Sequence, residues 1–592
     1  MRSLKDSLLP ILIVLSFASI LFLKNYLFAV RIGDGIGTLW IDYAGFALIL
    51  LSLLFLSKSL ALTLFLFFLI NIFNSLMLFS NRIYYRYFGD YITLDLFSLA
   101  SNIPFTWKNI VNLIKFKDIC LLFDLPVLAI ISMISVRKLK FSLKNNLKFA
   151  LIFLLLGISL TGTNLFFLHK TLPYVLTFRY GSSMLFNSMS VHNFYILNIF
   201  QEGIKKEKII SSSLPSELIS NDYEIDKKFK IKNKLWNIII VEFESLGAEM
   251  IGRKIDGQEI TPTLNRLSEK GIYFKNFYSQ ALTCSGTLDV EFSTLTTLYP
   301  SPKSPYAIKY ANKVPFSLPK FLKKHGYKTM FFHANKGDFY RRSTVMKILG
   351  FDELYFYDYF LSKERKIRGI DDFPFFLGCA EAIKNSSQPF FAYLVTLSSH
   401  TPFELPGGEK PGLKINENID ENTKKYYQII NYADRSFRAF LDELNKESIL
   451  EKTILILFGD HTRTIPESKE GEIGIVRETM KNKVPLIILI PDSKGDTLDE
   501  PSTHTDITPT ILSILGLKYD GTLLGRNLLS EKGESFVLIN RNPVILIKKE
   551  NVLWGYLDKG FRNCLKNCSE SEILESNKFL EIIKYSEYVL KK

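Results

Sequence analysis

The chain has 592 residues, 47% of them hydrophobic, with 73 Lys and Arg against 59 Asp and Glu, a formal net charge of +14. That length excludes a single ordinary domain. The basic residues are scattered along the chain, which argues against a nucleic-acid binder and suits a protein working beside anionic lipid.

Residues 1 to about 170 are dominated by Leu, Phe and Ile. They contain apolar runs of bilayer-spanning length at roughly 7–30, 37–57, 59–80, 118–136 and 149–168, which predicts five membrane spans. The first run is too long for a signal peptide and has no small-residue cleavage site. The segment RKLKFSLKNNLK, Arg137 to Lys148, carries five basic residues and no acid. The positive-inside rule makes it cytoplasmic. The N-terminus then lies inside and everything after about residue 170 lies outside. The stretch YYRYFGDYITLDLF, between the third and fourth spans, reads as an amphipathic segment at the membrane surface.

Residues 171–234 read as a connector, polar toward its end and containing Pro215. Of the five cysteines, Cys120, Cys284, Cys379, Cys564 and Cys568, the last two are close enough for a local disulfide. Two free thiols are the alternative.

From residue 235 to 592 strands and helices alternate, which predicts an extracytoplasmic α/β domain with a doubly wound, mostly parallel sheet. The strands are Asn237–Phe243, Lys328–Ala334, Pro389–His400, the run ILILF and Val484–Pro491. TPTLNRLSEKG predicts a helix with Thr261 as N-cap, Pro262 at the first helical position and Gly271 past the end. Thr423–Leu444 and DITPTILSILG also have helical spacing. SFVLIN and PVILIKKENVLWGY predict a small antiparallel addition at the C-terminus.

In open α/β sheets ligands bind beyond the carboxyl ends of the strands. Here those ends carry Glu244 and Ser245, His333, His400, and the pair Asp460 and His461, while His504 precedes another helix. Two carboxylates and an imidazole suit a divalent ion such as Mn²⁺ or Zn²⁺. LTCSGTLDVEF offers Cys284, Ser285 and Thr287 as nucleophiles; Thr287 follows Gly286 and opens a predicted helix. Helix capping is the alternative reading of Ser285 and Thr287.

The stretches VEFESLGAEMIG, TPTLNRL, FYSQALTCSGTLDVEF, FFHANKGDFYRR, LGFDELY, SSHTPFEL, FGDHT and TDITPTIL occur in one order. In that order the chain resembles lipoteichoic acid synthase-type phosphoglycerol transferases of the alkaline phosphatase/sulfatase superfamily. The resemblance implies a metal site at Glu244, Thr287, Asp460 and His461, with Thr287 also the nucleophile. The metal it implies is Mn²⁺, with Zn²⁺ or Mg²⁺ as alternatives. It places a phosphoglycerol pocket on His333, Tyr340, Arg342 and His400. Tyr340 stands where a tryptophan is usual, and Thr462 replaces an aromatic residue. The implied reaction moves glycerophosphate from phosphatidylglycerol, or a related anionic lipid, to a polymer or glycan hydroxyl. The connector has no Ala-x-Ala site for the proteolytic release known in some relatives. A sulfatase would need C/S-x-P-x-R, which is missing after Cys284. A phosphoethanolamine transferase would carry a Gly-Glu-Thr strand end and several disulfides. A non-enzymatic membrane sensor would need no nucleophile beside its ligands.

Overall fold

The computed structural model describes residues 12, 15–17, 19–26, 39–57, 60–88, 92, 114–138, 147–171, 193–195, 214–215, 223–229, 235–281, 286–301, 306–337, 339–361, 371–463, 471–531, 534–541, 543–549, 551–566 and 568–592. They fall into two compact units: residues 1–207 with 338–344, and residues 208–337 with 345–592.

The first unit is helical. Its long helices are α1 (Leu39–Ser57), α2 (Leu60–Phe88), α3 (Asp124–Lys138) and α4 (Leu147–Thr171). These match four of the five expected apolar runs; the first run, 7–30, lies partly outside the described residues. Among the described residues one stretch, 61–83, is long and apolar enough to cross a bilayer, and 41–53, 120–134 and 147–163 are shorter apolar helices. The basic segment Arg137–Lys148 and the stretch YYRYFGDYITLDLF lie largely outside the described residues.

Helices α1 and α4 pack closely where Gly45 meets Gly157. A Cβ on Gly157 would stand 2.7 Å from the Gly45 carbonyl, and one on Gly45 2.6 Å from Thr161 Oγ1. Small residues permit that approach, as in membrane helix pairs generally. Among the described residues of this apolar unit, Lys24 is paired with Asp124 and Arg82 with Asp118. Lys24 Nζ lies 2.6 Å from Asp124 Oδ1 and donates to Asn71 Oδ1 at 3.2 Å and Ser75 Oγ at 2.5 Å. A lone ammonium there would be costly, and its partners offset the desolvation.

The second unit is built on an eight-stranded sheet. Its strands are β1 (Asn237–Phe243), β2 (Ile272–Phe274), β3 (Lys328–His333), β4 (Glu353–Tyr355), β5 (Phe390–Val395), β6 (Thr453–Gly459), β7 (Leu486–Leu489) and β8 (Asp496–Leu498). The order across the sheet is β8-β2-β7-β6-β1-β5-β3-β4. All neighbours are parallel except β7, which runs antiparallel to both β6 and β2. β1, β5 and β6 are buried along their whole length, as continuous Ile, Leu, Val and Phe runs require. The C-terminal addition is a four-stranded antiparallel sheet, Val537–Ile539, Val544–Lys548, Asn551–Tyr556 and Gly560–Cys564. Cys564 and Cys568 form a disulfide, with Cα atoms 6.1 Å apart.

The helices that matter to the site are α5 (Pro262–Lys270), α6 (Thr287–Thr296), α7 (Arg342–Leu349), α8 (Asp372–Lys384), α9 (Glu421–Asn445) and α10 (Ile507–Leu515). Two local expectations are corrected. Thr261 holds the expected N-cap position before Pro262, but its hydroxyl donates to Met250 O and makes no capping bond to the helix. Asp434 on α9 caps it instead, accepting the N–H groups of Thr263 and Leu264 at 3.0 and 2.9 Å. The strand expected to reach His400 ends at Val395, and His400 sits in the turn beyond it. The described end of the connector is not loose chain. Tyr223 OH donates to Tyr519 O at 3.1 Å, Asp226 N–H donates to Leu529 O at 2.7 Å, and Asn527 Nδ2 donates to Glu224 O at 2.7 Å.

Candidate metal and nucleophile centre

Strand register brings the expected residues together. Phe243 at the end of β1 lies opposite Gly459 at the end of β6, so Glu244 and Asp460 leave the sheet side by side. On the other side of β1, Glu242 pairs with Val395, and Val395 pairs with His333 on β3. Position 459 must be glycine, because a Cβ there would stand 2.1 Å from the Leu246 carbonyl oxygen. Ser245 turns with φ 55°, a left-handed conformation that costs on the order of 1–2 kcal/mol. The turn lets its N–H donate to Asp460 Oδ1 at 2.7 Å.

Glu244, Asp460 and His461 are buried, and one ligand atom from each lies within 4.8 Å of the others. Thr287 opens α6, and Gly286 before it adopts φ 51°, ψ −115°, a conformation that favours glycine. The Thr287 hydroxyl lies 2.8 Å from Asp460 Oδ2 and 3.3 Å from Glu244 Oε2. It serves the carboxylates, so the capping alternative fails for this residue. Ser285 and Cys284 lie outside the described residues.

Further polar groups hold these side chains. Ser245 Oγ donates to Glu244 Oε1 at 2.9 Å, and Thr396 Oγ1 accepts the Glu244 N–H at 2.9 Å. Ser399 Oγ donates to Glu244 O at 2.5 Å, Tyr426 OH donates to Ser245 O at 2.8 Å, and Ser279 Oγ donates to Asp460 O. His504 is fully buried against Phe277 and Phe458. Its Nδ1 accepts the Gln280 N–H at 3.3 Å and its Nε2 donates to Gly459 O at 3.2 Å, a neutral tautomer. Burial pushes its pKa down to about 3. His504 therefore braces the strand end that carries Asp460. Sequence reading singled out the histidine without this role. Ser279, Thr396 and Tyr426 carried no signal in the sequence, since only the folded topology brings them here.

The electrostatics fit a cation. His461 Nδ1 lies 2.6 Å from the Thr462 carbonyl, so the proton sits on Nδ1 and the Nε2 lone pair is left over. That nitrogen faces Glu244 Oε1 and Asp460 Oδ2, each at 3.4 Å. A lone pair opposed to two buried carboxylates needs a positive charge among them. Without one, burial and then the Glu244 charge push Asp460 up to about 7. Burial would lower His461, but Asp460 and Glu244 outweigh it and raise its pKa. Either a proton or a divalent ion relieves the same repulsion. Carboxylate, imidazole and hydroxyl donors together suit a borderline ion.

The expected pocket residues fall in both units. His333 is buried at the end of β3, with Nδ1 lying 3.1 Å from Val395 O. His400 is exposed in the turn after β5, with Nδ1 lying 2.8 Å from Thr401 O. Tyr340 and Arg342 belong to the segment 338–344 that groups with the first unit. Arg342 opens α7, and Tyr340 and Arg341 have φ 56° and 54°. Arg341 and Arg342 are both buried.

Known proteins extend this geometry. Residues 236–517 match the sulfatase family, and residues 1–209 match the lipoteichoic acid synthase N-terminal domain. Lipoteichoic acid synthase 2 of Bacillus subtilis is 27% identical over 531 residues, covering 86% of this chain and 80% of the relative. Lipoteichoic acid synthase of Staphylococcus aureus is 26% identical over 530 residues, covering 85% and 81%. Among solved structures, lipoteichoic acid synthase LtaP from Listeria monocytogenes superposes with a TM-score of 0.53 at 23% identity, over 64% of this chain and 96% of that one. An alkaline phosphatase superfamily protein from Vibrio parahaemolyticus gives 0.53 at 20%, over 64% and 92%. These two structures establish the shared fold. With both domains matched in order and curated relatives aligned along most of its length, the chain belongs to the lipoteichoic acid synthase-type branch of the sulfatase/alkaline phosphatase superfamily.

Proposed function

We propose that this chain, a phosphotransferase of the alkaline phosphatase superfamily, moves glycerophosphate from phosphatidylglycerol to a hydroxyl acceptor, a polyglycerolphosphate or a glycan, through a covalent Thr287 intermediate. The observation that carries the reading is the Thr287 hydroxyl, turned from its own helix onto Asp460 Oδ2 at 2.8 Å. The substrate class is supported by the curated relatives named lipoteichoic acid synthase, four fifths of whose length this chain covers.

Thr287 Oγ1 attacks the phosphorus, and Asp460 Oδ2 is the acceptor nearest its proton. The phosphorus–oxygen bond to diacylglycerol breaks, and diacylglycerol leaves as the alcohol after taking up a proton. An acceptor hydroxyl then attacks the phosphorus, loses its proton to the site, and frees the Thr287 hydroxyl. A divalent ion, Mn²⁺ first with Zn²⁺ or Mg²⁺ as alternatives, would be held by Glu244, Asp460, His461 and Thr287 and supply Lewis acidity. The family resemblance assigns the phosphoglycerol group to His333, His400, Tyr340 and Arg342, with Arg342 acting through the fork of donors on its guanidinium.

The lipid donor explains the apolar first unit. In this reading residues 1–170 form five spans with the N-terminus cytoplasmic, 171–234 form a connector, and 235–592 act outside the cell membrane. The test is incubation of the full chain with fluorescent phosphatidylglycerol and unlabelled acceptor. Released diacylglycerol with a glycerophosphate-bearing product is expected. Release from phosphatidylethanolamine alone contradicts the reading.

A further inference from the structure

We infer that Asp372, a carboxylate outside the metal and nucleophile centre, is a positioning residue that sets the geometry of Glu244 through the turn after β5. The inference rests on the proposed role of Glu244 as a metal ligand.

Asp372 is the first residue of α8 and is fully buried. Its Oδ1 accepts the backbone N–H groups of Leu397 at 3.1 Å and Ser398 at 3.0 Å. Its own N–H donates to Ser398 Oγ at 2.8 Å. Three hydrogen bonds thus clamp the turn that follows Val395. The same turn meets Glu244 from both sides. Thr396 Oγ1 accepts the Glu244 N–H, and Ser399 Oγ donates to the Glu244 carbonyl. Thr396 N–H also donates to Glu242 O at 3.0 Å, continuing the strand pairing up to the site. Backbone N–H and C=O of Glu244 are therefore both held by a turn whose own amides are fixed by Asp372. His400 ends that turn.

An irregular turn beyond a strand has no ladder to fix it. A buried carboxylate taking two adjacent N–H groups supplies that rigidity, and groups that orient a ligand commonly change metal affinity by about 10–100-fold when removed. A merely structural carboxylate would alter stability and leave the metal untouched. Asp434 provides that comparison within the same unit. It too is buried and takes two adjacent backbone N–H groups, but those belong to α5.

The experiment titrates Mn²⁺ alone into the full chain in detergent, reading affinity by calorimetry and stability by the unfolding midpoint. Asp372→Ala should weaken Mn²⁺ binding by about tenfold or more. Asp372→Asn keeps the Oδ1 acceptor and should bind close to wild type. Asp434→Ala should lower the unfolding midpoint with Mn²⁺ affinity unchanged. If Asp372→Ala does not fold, Ser398→Ala, which removes the acceptor of the Asp372 N–H, should show a smaller loss in the same direction. Wild-type affinity in Asp372→Ala, or in Ser398→Ala where that variant stands in, overturns the inference and leaves the Glu244 site intact. Mn²⁺ binding that survives Glu244→Ala unchanged overturns the site reading, and the positioning role falls with it.

Discussion

Replacing His504 by glutamine should uncouple part of the protein's stability from pH. His504 is held neutral by burial, with a folded pKa of about 3, against 6.5 in the unfolded chain. A depressed folded value means that the unfolded chain takes up a proton first as pH falls. Stability from this group is therefore complete above pH 6.5 and is lost progressively from there toward about pH 3. Between about pH 7.5 and about pH 5.5 the loss is about 1.4 kcal/mol. Asp372, raised to about 6, acts in the opposite sense, because the fold keeps its proton where the unfolded chain releases it. The wild-type profile is thus a sum, and only the difference between the two proteins isolates His504. A glutamine side chain cannot keep the two ring contacts and both hydrogen bonds, so His504→Gln should be less stable by about 1–2 kcal/mol near neutrality. That gap should shrink by about 1.4 kcal/mol on acidification to about pH 5.5. Denaturant titration of the catalytic unit within the full chain, followed by tryptophan fluorescence, measures it. A gap independent of pH would refute the neutral, double-bonded histidine.

Four other substitutions and metal removal probe the site. Gly459→Ala puts a Cβ 2.1 Å from Leu246 O, and the backbone must shift between Asp460 and Glu244. It should cost about 1–3 kcal/mol in unfolding free energy and lower metal occupancy by elemental analysis. Chelation should abolish turnover, with Mn²⁺ restoring it better than Ca²⁺, since an imidazole ligand disfavours an oxygen-seeking ion; Asp460→Ala and His461→Ala should carry less metal. Arg342→Ala should slow turnover by about 10–100-fold, the loss of a charge-assisted contact of about 1.5–3 kcal/mol, without lowering metal content. The exposed Lys336→Ala is the comparison and should change little.

Much of the site was legible because its residues follow unbroken apolar strands. ILILF reads as a buried strand, and its register with NIIIVEF is what sets Asp460 beside Glu244. The reversed direction of β7 was not legible, because a fully buried strand has the same apolar pattern whichever way it runs. The end of β5 was overrun for a related reason: Thr396 and Leu397 continue a strand-like composition, while the turn is enforced by Asp372 from a distant helix. Asp434 capping α5, and Lys24 paired with Asp124, are likewise long-range partnerships that no local pattern announces. Thr261 shows the converse. Its sequence context and position are those of an N-cap, yet the Met250 carbonyl takes its hydroxyl.

The central claim is that Thr287 carries the glycerophosphate. Full-length protein, mixed with phosphatidylglycerol without acceptor, quenched in acid and digested, would be read by mass spectrometry of the peptide spanning residues 282–296. The account predicts one glycerophosphate ester on Thr287 in the wild type. It predicts no adduct and no turnover in Thr287→Ala, with the fold and metal-ligating carboxylates retained. Turnover surviving in Thr287→Ala, or an ester found on Ser285, would contradict it.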